Sequence, residues 1–480
     1  MRFTKRLYQG NNEALGFALD GIGRQVIFVS AAVFLTQAVL DLAKEAGKCN
    51  EQNLVQDSEC VSRVYNLKPS SLITLYAAVI GFISAIFLPL VGAVIDHTPH
   101  RKIIGTATGF LLMACVFGQI FITENNWDVM ILIQIFAAII GWIHTLVAFA
   151  YLPELTEDSK LLMSWTANFH LLQYISMILF LVFMVGILYG LDAIDDNILA
   201  ARTASITSLI LAFFTFGYSW LKLMKARPPF HELPSESSLF TIGFIRIFKT
   251  SRFLSKKYHS LLWFFVNAAL VEAAIQSISS ISLTYMTDTL EMSSTEVGIA
   301  ILVLFLAGAL GTVFATISSK CMNPIRSNQL SQIISAANTV LAMFILTGRG
   351  QQGRAYFISA VWGLCAGWQK TIERFTLTQI IPPEMDAEIM GFYLFTSQVL
   401  VWAPTLIFTA LNEAGVSQRH AMLILNVFFV GGMIALCMMG NYDKAVSNRQ
   451  SEESILGENG EQSRDALDQN EEQKETSDTA

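Results

Sequence analysis

A charged side chain in the hydrocarbon of a bilayer costs about 2.5 to 3.5 kcal/mol near a helix centre, so each one in a long apolar run needs a partner or a task. Glu272 is such a residue. It lies near the middle of its run, without a base within one helical turn, and Asn267 and Gln276 are its polar neighbours in sequence. A lone acid beside amides suits a bound proton or a substrate ammonium; a neutral, hydrogen-bonded acid in a helix contact is the alternative. Lys370, Glu373 and Arg374 crowd one turn of another run, following Trp362 and Trp368. Cations there can hold a carboxylate or snorkel to the interface. Asp20 and Arg24, four apart on one helical face, can pair with each other as a structural unit or line a cavity. His144 and His170 read as hydrogen-bonded packing residues rather than as a proton relay. None of this is enzyme chemistry: the sequence contains no HExxH, Gly-x-Ser-x-Gly or P-loop, and His231-Glu232 lacks the second histidine of a zinc site. No catalytic residue, cofactor, metal or nucleic acid is expected.

The elements that must hold these groups are membrane helices. Of the 480 residues 53% are hydrophobic and 14% charged, with a mean hydropathy of +0.50, too little polar surface to coat a soluble globule. Apolar runs of about 20 residues, the length that crosses the hydrocarbon core, centre near residues 28, 83, 112, 140, 176, 213, 272, 305, 338, 366, 399 and 430. The expected fold is all-α and integral to the membrane, with twelve spans in two six-helix halves, 14–224 and 260–440. A terminal segment, 1–13, precedes them, a linker, 225–259, joins them, and an acidic tail, 441–480, is expected to be disordered. The first run, from about Leu15 to Leu40, is too long for a cleaved signal and reads as a retained span.

Residues 451–480 hold ten acids against Arg464 and Lys474, so the formal charge of -7 belongs to the tail and the membrane body is nearly neutral. The linker contains Pro228, Pro229 and Pro234, then Ile242 to Phe253, where Arg246, Lys249 and Arg252 share one face as in an interfacial helix. Outside the spans and tail, sixteen lysines and arginines fall on the side of the N-terminus and linker and eight on the other. That bias puts both termini in the cytosol. Cys49 and Cys60 share a loop on the opposite side, where a disulfide is permitted and two free thiols are the alternative. Gly363-Leu-Cys-Ala-Gly367 and Gly105-Thr-Ala-Thr-Gly109 have the spacing that lets helices approach closely.

Gly92, Asp96, Arg101 and Lys102 mark the turn between the second and third runs, and this spacing resembles the loop of major facilitator transporters. Gly311 to Lys320 repeats the interval weakly in the second half, with Ala315 in place of the acid. Three stretches resemble one branch, the autophagy-related vacuolar effluxers: Asp96-His-Thr-Pro-His-Arg101-Lys102, Tyr151-Leu-Pro-Glu154-Leu155, and Ile380-Ile-Pro-Pro-Glu384-Met-Asp-Ala-Glu388-Ile-Met-Gly391-Phe-Tyr393. Val29 to Leu35 is similar too. Gln398 departs from the lysine such effluxers often carry, and Trp402-Ala-Pro404 matches only loosely.

The resemblance implies a monomeric secondary transporter in a vacuolar or lysosomal membrane, exporting amino acids to the cytosol by alternating access, with protons as a candidate coupling ion. A sugar or other solute symporter of the same superfamily, or a non-transporting receptor or scaffold, are the other readings. In this superfamily spans 1, 4, 7 and 10 line the cavity, which makes Glu272, Lys370, Glu373, Arg374, Asp20, Arg24, Asn267, Gln276 and His144 the candidate substrate or proton residues. Pro382 and Pro383 exclude helix before span 11, and Glu384, Asp386 and Glu388 then suit its first turn. The loop from Gly92 to Lys102 is expected to form ion pairs with those acids when the halves close, as a latch, or else to be a static fastening.

Overall fold

The computed structural model describes residues 8–47, 63–156, 159–193, 196–229, 238–382, 386–447 and 449. Cys49, Cys60 and Glu384 lie outside the described residues, as does the side chain of Glu388. Among the described residues the regular elements are helices, with one isolated bridge between Val64 and Leu67. Span 1 is Asn12–Ala46, continuous through a π turn at Ala31–Leu35. Span 2 is Pro69–His97, span 3 Arg101–Gln119, span 4 Trp127–Phe149, span 5 Ser159–Gly190 and span 6 Asn197–Leu223. The amphipathic run of the linker is longer than expected, a helix over Leu239–Lys257. The second half consists of span 7, His259–Asp288; span 8, Ser294–Cys321; span 9, Pro324–Ile345; span 10, Gln352–Ile380; span 11, Asp386–Val399 and Trp402–Glu413; and span 12, Gln418–Met438.

Each of the twelve expected centres falls in one of these helices, but only ten of the described helices are both long and apolar enough to cross a membrane by themselves. Spans 9 and 10 have the length, 22 and 29 residues, and not the apolarity. They bury polar groups against each other and their neighbours instead. Ser331 of span 9 hydrogen-bonds Gln369 of span 10, Asn338 donates to the carbonyl of Ile358 at 3.0 Å, and Trp362 donates to Thr339 at 3.2 Å.

Local chemistry sets the ends and breaks. The Asn11 side chain accepts from the backbone N–H groups of Glu13 and Ala14 and so starts span 1, while Ser293 and Glu296 form a reciprocal capping box at span 8. Pro404 has no N–H to give to the carbonyl of Leu400, and span 11 is interrupted just there.

Spans 8 and 10 are locked by glycine. A Cβ on Gly363 would lie 2.0 Å from the Leu304 carbonyl oxygen, and one on Gly367 would lie 2.0 Å from that of Gly308. A Cβ on Gly311 would meet the Leu364 carbonyl at 2.1 Å. The two backbones touch, so the spacing read from the sequence as helix packing has that role. In the first half Gly105 takes the indole of Trp220 in the same way, at 2.1 Å. Gly363→Ala must push the helices apart, and we expect a loss on the order of 1–3 kcal/mol of stability. Gly141, with nothing within 4 Å of its would-be Cβ, is the control. Thermal unfolding of the purified protein should show a clear fall in Tm for Gly363→Ala and little change for Gly141→Ala; equal melting would contradict this packing.

Candidate functional site

In the first half, one carboxylate organises four helices. Asp20 of span 1 is fully buried and its Oδ1 accepts from His144 Nε2 of span 4 at 2.7 Å and from Trp220 Nε1 of span 6 at 2.8 Å. Its Oδ2 lies 3.4 Å from Arg24 Nε one turn along. His144 Nδ1 is in turn 2.9 Å from the hydroxyl of Thr108 in span 3. Arg24 also donates to Thr145 at 3.2 Å and lies over the ring of Phe149, 5.6 Å from its centroid. Asp20 Oδ1 and both ring nitrogens of His144 thus have their partners inside the protein. The buried Oδ2 of Asp20 and the Nε and Nη2 of Arg24 have no hydrogen-bond partner among the described residues.

The second cluster lies at the seam between the halves. Glu272 of span 7 is not alone: Lys370 Nζ of span 10 is 3.0 Å from its Oε1, and Gln276 Nε2 donates to the same oxygen at 3.2 Å. Its base comes from a helix that is distant in sequence, a pairing that sequence neighbours do not reveal. Asn267, by contrast, fastens span 7 to span 12 by donating to the Gly432 carbonyl at 3.0 Å. Arg374 crosses the seam and hydrogen-bonds His170 Nε2 of span 5, in the other half. An arginine offers donors only, so His170 accepts through Nε2 and is a neutral ligand of the guanidinium. Arg374 also meets the Tyr393 hydroxyl of span 11. Among the described residues it makes no ion pair with any carboxylate. Glu373 is 1% exposed, and both of its carboxylate oxygens are buried without a hydrogen-bond partner. It lies within electrostatic reach of Glu272, Lys370 and Arg374. The seam therefore holds, among the described residues, one internal ion pair, one cation without a counter-anion and one acid without a donor. His170, read from the sequence as packing, and Tyr393 belong to this site; the signal for His170 is its place in the same tier of the bundle as Glu272.

The chain matches the family described as Vacuole effluxer Atg22 like over residues 9–170 and 166–450. It belongs to that vacuole effluxer family. No curated protein sequence matches it significantly. Among solved structures it resembles a D-xylose-proton symporter at 12% identity, covering 90% of this chain and 97% of that one with a TM-score of 0.64. A mutant of the nucleoside transporter NupG is similar at 15% identity, 89% and 100% coverage and a TM-score of 0.59. The inward-open xylose transporter XylE from E. coli aligns at 14% identity, with 89% and 95% coverage and a TM-score of 0.57. The fold is that of the major facilitator transporters, and the effluxer is a membrane transporter rather than an enzyme.

The signature loop of the effluxer is engaged within its own half and with the linker. Asp96 pairs with Arg246 of the linker helix at 2.9 Å. Arg101 is fully buried, 3.1 Å from Glu154 and over the ring of Tyr151 at 5.5 Å. Arg227 bridges Glu154 at 3.4 Å and Glu13 at 2.6 Å. Burial pushes the Tyr151 phenol up to about 12, so it stays protonated and donates to the Lys225 carbonyl at 2.9 Å. Asp96 and Arg101 thus contact the linker and the span 4 turn, while Glu384 and the side chain of Glu388, the acids of the expected latch, lie outside the described residues. Gly92 has only Leu146 near its would-be Cβ, at 3.9 Å, and Lys102 is half-buried at the start of span 3.

The two acids should respond oppositely to neutralisation. Asp20→Asn leaves Arg24 buried with no counter-charge, a change that costs about 3–5 kcal/mol. Glu373→Gln removes a buried carboxylate that has no donor and should be neutral or stabilising. We expect Tm to fall sharply for Asp20→Asn and to hold or rise for Glu373→Gln; equal falls would contradict the assignment.

Proposed function

We propose that the protein exports amino acids from the vacuole or lysosome to the cytosol by alternating access, with proton coupling at the seam. The single observation that carries this reading is Arg374, an interior cation in contact with both halves and without a carboxylate of its own among the described residues. A substrate carboxylate supplies the missing anion, in the bidentate geometry a guanidinium favours. Glu272 then offers its charge to the substrate ammonium as Lys370, whose side chain is already 38% exposed, is displaced from it. Glu373, itself buried, is the proton site: protonated, it leaves Arg374 as the excess charge that draws the substrate carboxylate, and ionised, it balances Arg374 once the substrate has left. A sugar has neither charge and leaves Arg374 unmatched, which disfavours a sugar symporter on this site.

Alternating access is supported by a seal at the end of the bundle away from the termini. Lys44 of span 1 pairs with Asp288 of span 7 at 3.1 Å and donates to the Thr287 carbonyl. The backbone N–H of Lys68 donates to Glu413 at 2.8 Å, and Asn412 donates to Ser70 and Ser71 of span 2. These bonds join the halves at one end, and the other end, which the basic bias of the loops assigns to the cytosol, is the one through which the substrate leaves in this reading. The family match supports the vacuolar membrane, and the charged interior supports a transporting protein over a scaffold.

Flux in sealed vesicles under an imposed pH gradient tests the reading. Neutral amino acids should move and respond to the gradient, while xylose and nucleosides should not. Arg374→Gln should lower amino-acid flux by roughly tenfold or more, since it removes a charge-assisted bidentate contact. Glu373→Gln should retain substrate exchange and lose the response to pH. Full flux in Arg374→Gln, or saturable sugar flux in the wild type, would overturn the proposal.

A further inference from the structure

The linker helix Leu239–Lys257 is unused by the transport reading, and its inner face holds both halves. Gly243 lies against span 2, where a Cβ would come within 2.2 Å of the Pro89 carbonyl oxygen. Arg246 pairs with Asp96 at the end of the same span, and Leu254 is fully buried with Leu261, Phe264 and Phe265 of span 7. The register of these contacts gives the helix a tilt. Pro89 and Asp96 are seven residues apart, roughly 10 Å along span 2, while Gly243 and Arg246 are three apart, roughly 4.5 Å along the linker helix. Span 2 ends at His97, so the first half of the linker helix lies deeper along it than the second half.

Apart from Phe253, 38% exposed on the shallow half, the outward phenylalanines and cations are sorted by that depth. Phe240, Phe244 and Phe248 follow one another a turn apart on the deep half and are 76%, 43% and 67% exposed. Lys249, Arg252 and Lys256 are exposed on the shallow half and make no ion pair among the described residues. An aromatic stripe below a row of such cations matches the acyl chains and phosphates of a lipid leaflet.

We propose that this helix is a docking surface for anionic phospholipid in the leaflet on the side of the termini, and that bound lipid holds span 2 against span 7. The cations select the headgroup and the phenylalanines select a lipid over its soluble headgroup. Because the helix touches span 2 through Gly243 and Arg246 and span 7 through Leu254, its position sets the spacing of the halves at that end. Lipid occupancy therefore acts on the transport cycle without touching the charged seam.

The test is native mass spectrometry of the full chain in detergent, offered equal amounts of phosphatidylserine and phosphatidylcholine, with site-directed spin labels for depth. At roughly fivefold per basic residue near an anionic surface, the wild type should retain phosphatidylserine in preference by about tenfold or more. Lys249→Gln, Arg252→Gln and Lys256→Gln together should abolish the preference with Tm unchanged, and Lys249→Arg with Lys256→Arg should keep it. If the triple variant does not fold, Lys249→Gln alone should show a partial loss. A label replacing Phe244 in vesicles should be reached by oxygen, and one replacing Lys256 by a water-soluble nickel chelate. Equal retention of both lipids by the wild type, an undiminished preference in the glutamine variants, or competition by soluble phosphoserine as strong as by the lipid would overturn the proposal. So would a water-exposed label at position 244, which would assign the stripe to a protein partner.

Discussion

The structure depends on the cost of charge inside a bilayer, and on how unevenly that cost is met in the two halves. In the first half Asp20 accepts from His144 and Trp220 and pairs with Arg24, and this knot fixes spans 1, 4 and 6 to one another. In the second half Glu272 and Lys370 satisfy each other, but Arg374 reaches only a neutral histidine and a phenol, and Glu373 reaches no donor. Incomplete pairing at a seam between two rigid bodies is what a solute-binding site requires, because the missing partners can arrive and leave.

That rigidity has an identifiable source. The glycines of spans 8 and 10 bring two backbones into contact, and Gly105 brings span 3 onto Trp220. Movement is left to the surfaces where the halves meet. At one end these are joined by hydrogen bonds and the ion pair of Lys44 with Asp288, which must break for that end to open. At mid-depth the bond between Arg374 and His170 crosses the same seam, so a carboxylate that competes for Arg374 loosens a contact between halves as it binds. In the proposed cycle, substrate binding and conformational release share one guanidinium.

Much of this is legible in the sequence, because apolar runs and their spacing are local. The twelve runs coincide with helices, the division into halves follows from the polar linker, and the intramembrane charges stand out by their rarity. Their partners are not legible. His144 reaches Asp20 across 124 residues and Arg374 reaches His170 across 204, and no periodicity encodes which helices become neighbours. Glu272 looks solitary in sequence because its base is on span 10. The loop from Gly92 to Lys102 is recognisable as a motif, yet Asp96 takes its partner from the linker, 150 residues away. Spans 9 and 10 read as apolar runs, although their polar faces make them the least membrane-like spans of the bundle.

The central claim is that the seam recognises a zwitterion through an arginine lacking its own anion. Exchange of labelled leucine across sealed vesicles, competed by leucine, leucinamide and 4-methylpentanoic acid, tests it directly. The account predicts that leucine competes strongly and that leucinamide, which keeps the amine and lacks the carboxylate, does not. The carboxylic acid, which lacks the amine, should compete weakly through Arg374 alone. Competition by leucinamide as strong as that by leucine would contradict the account.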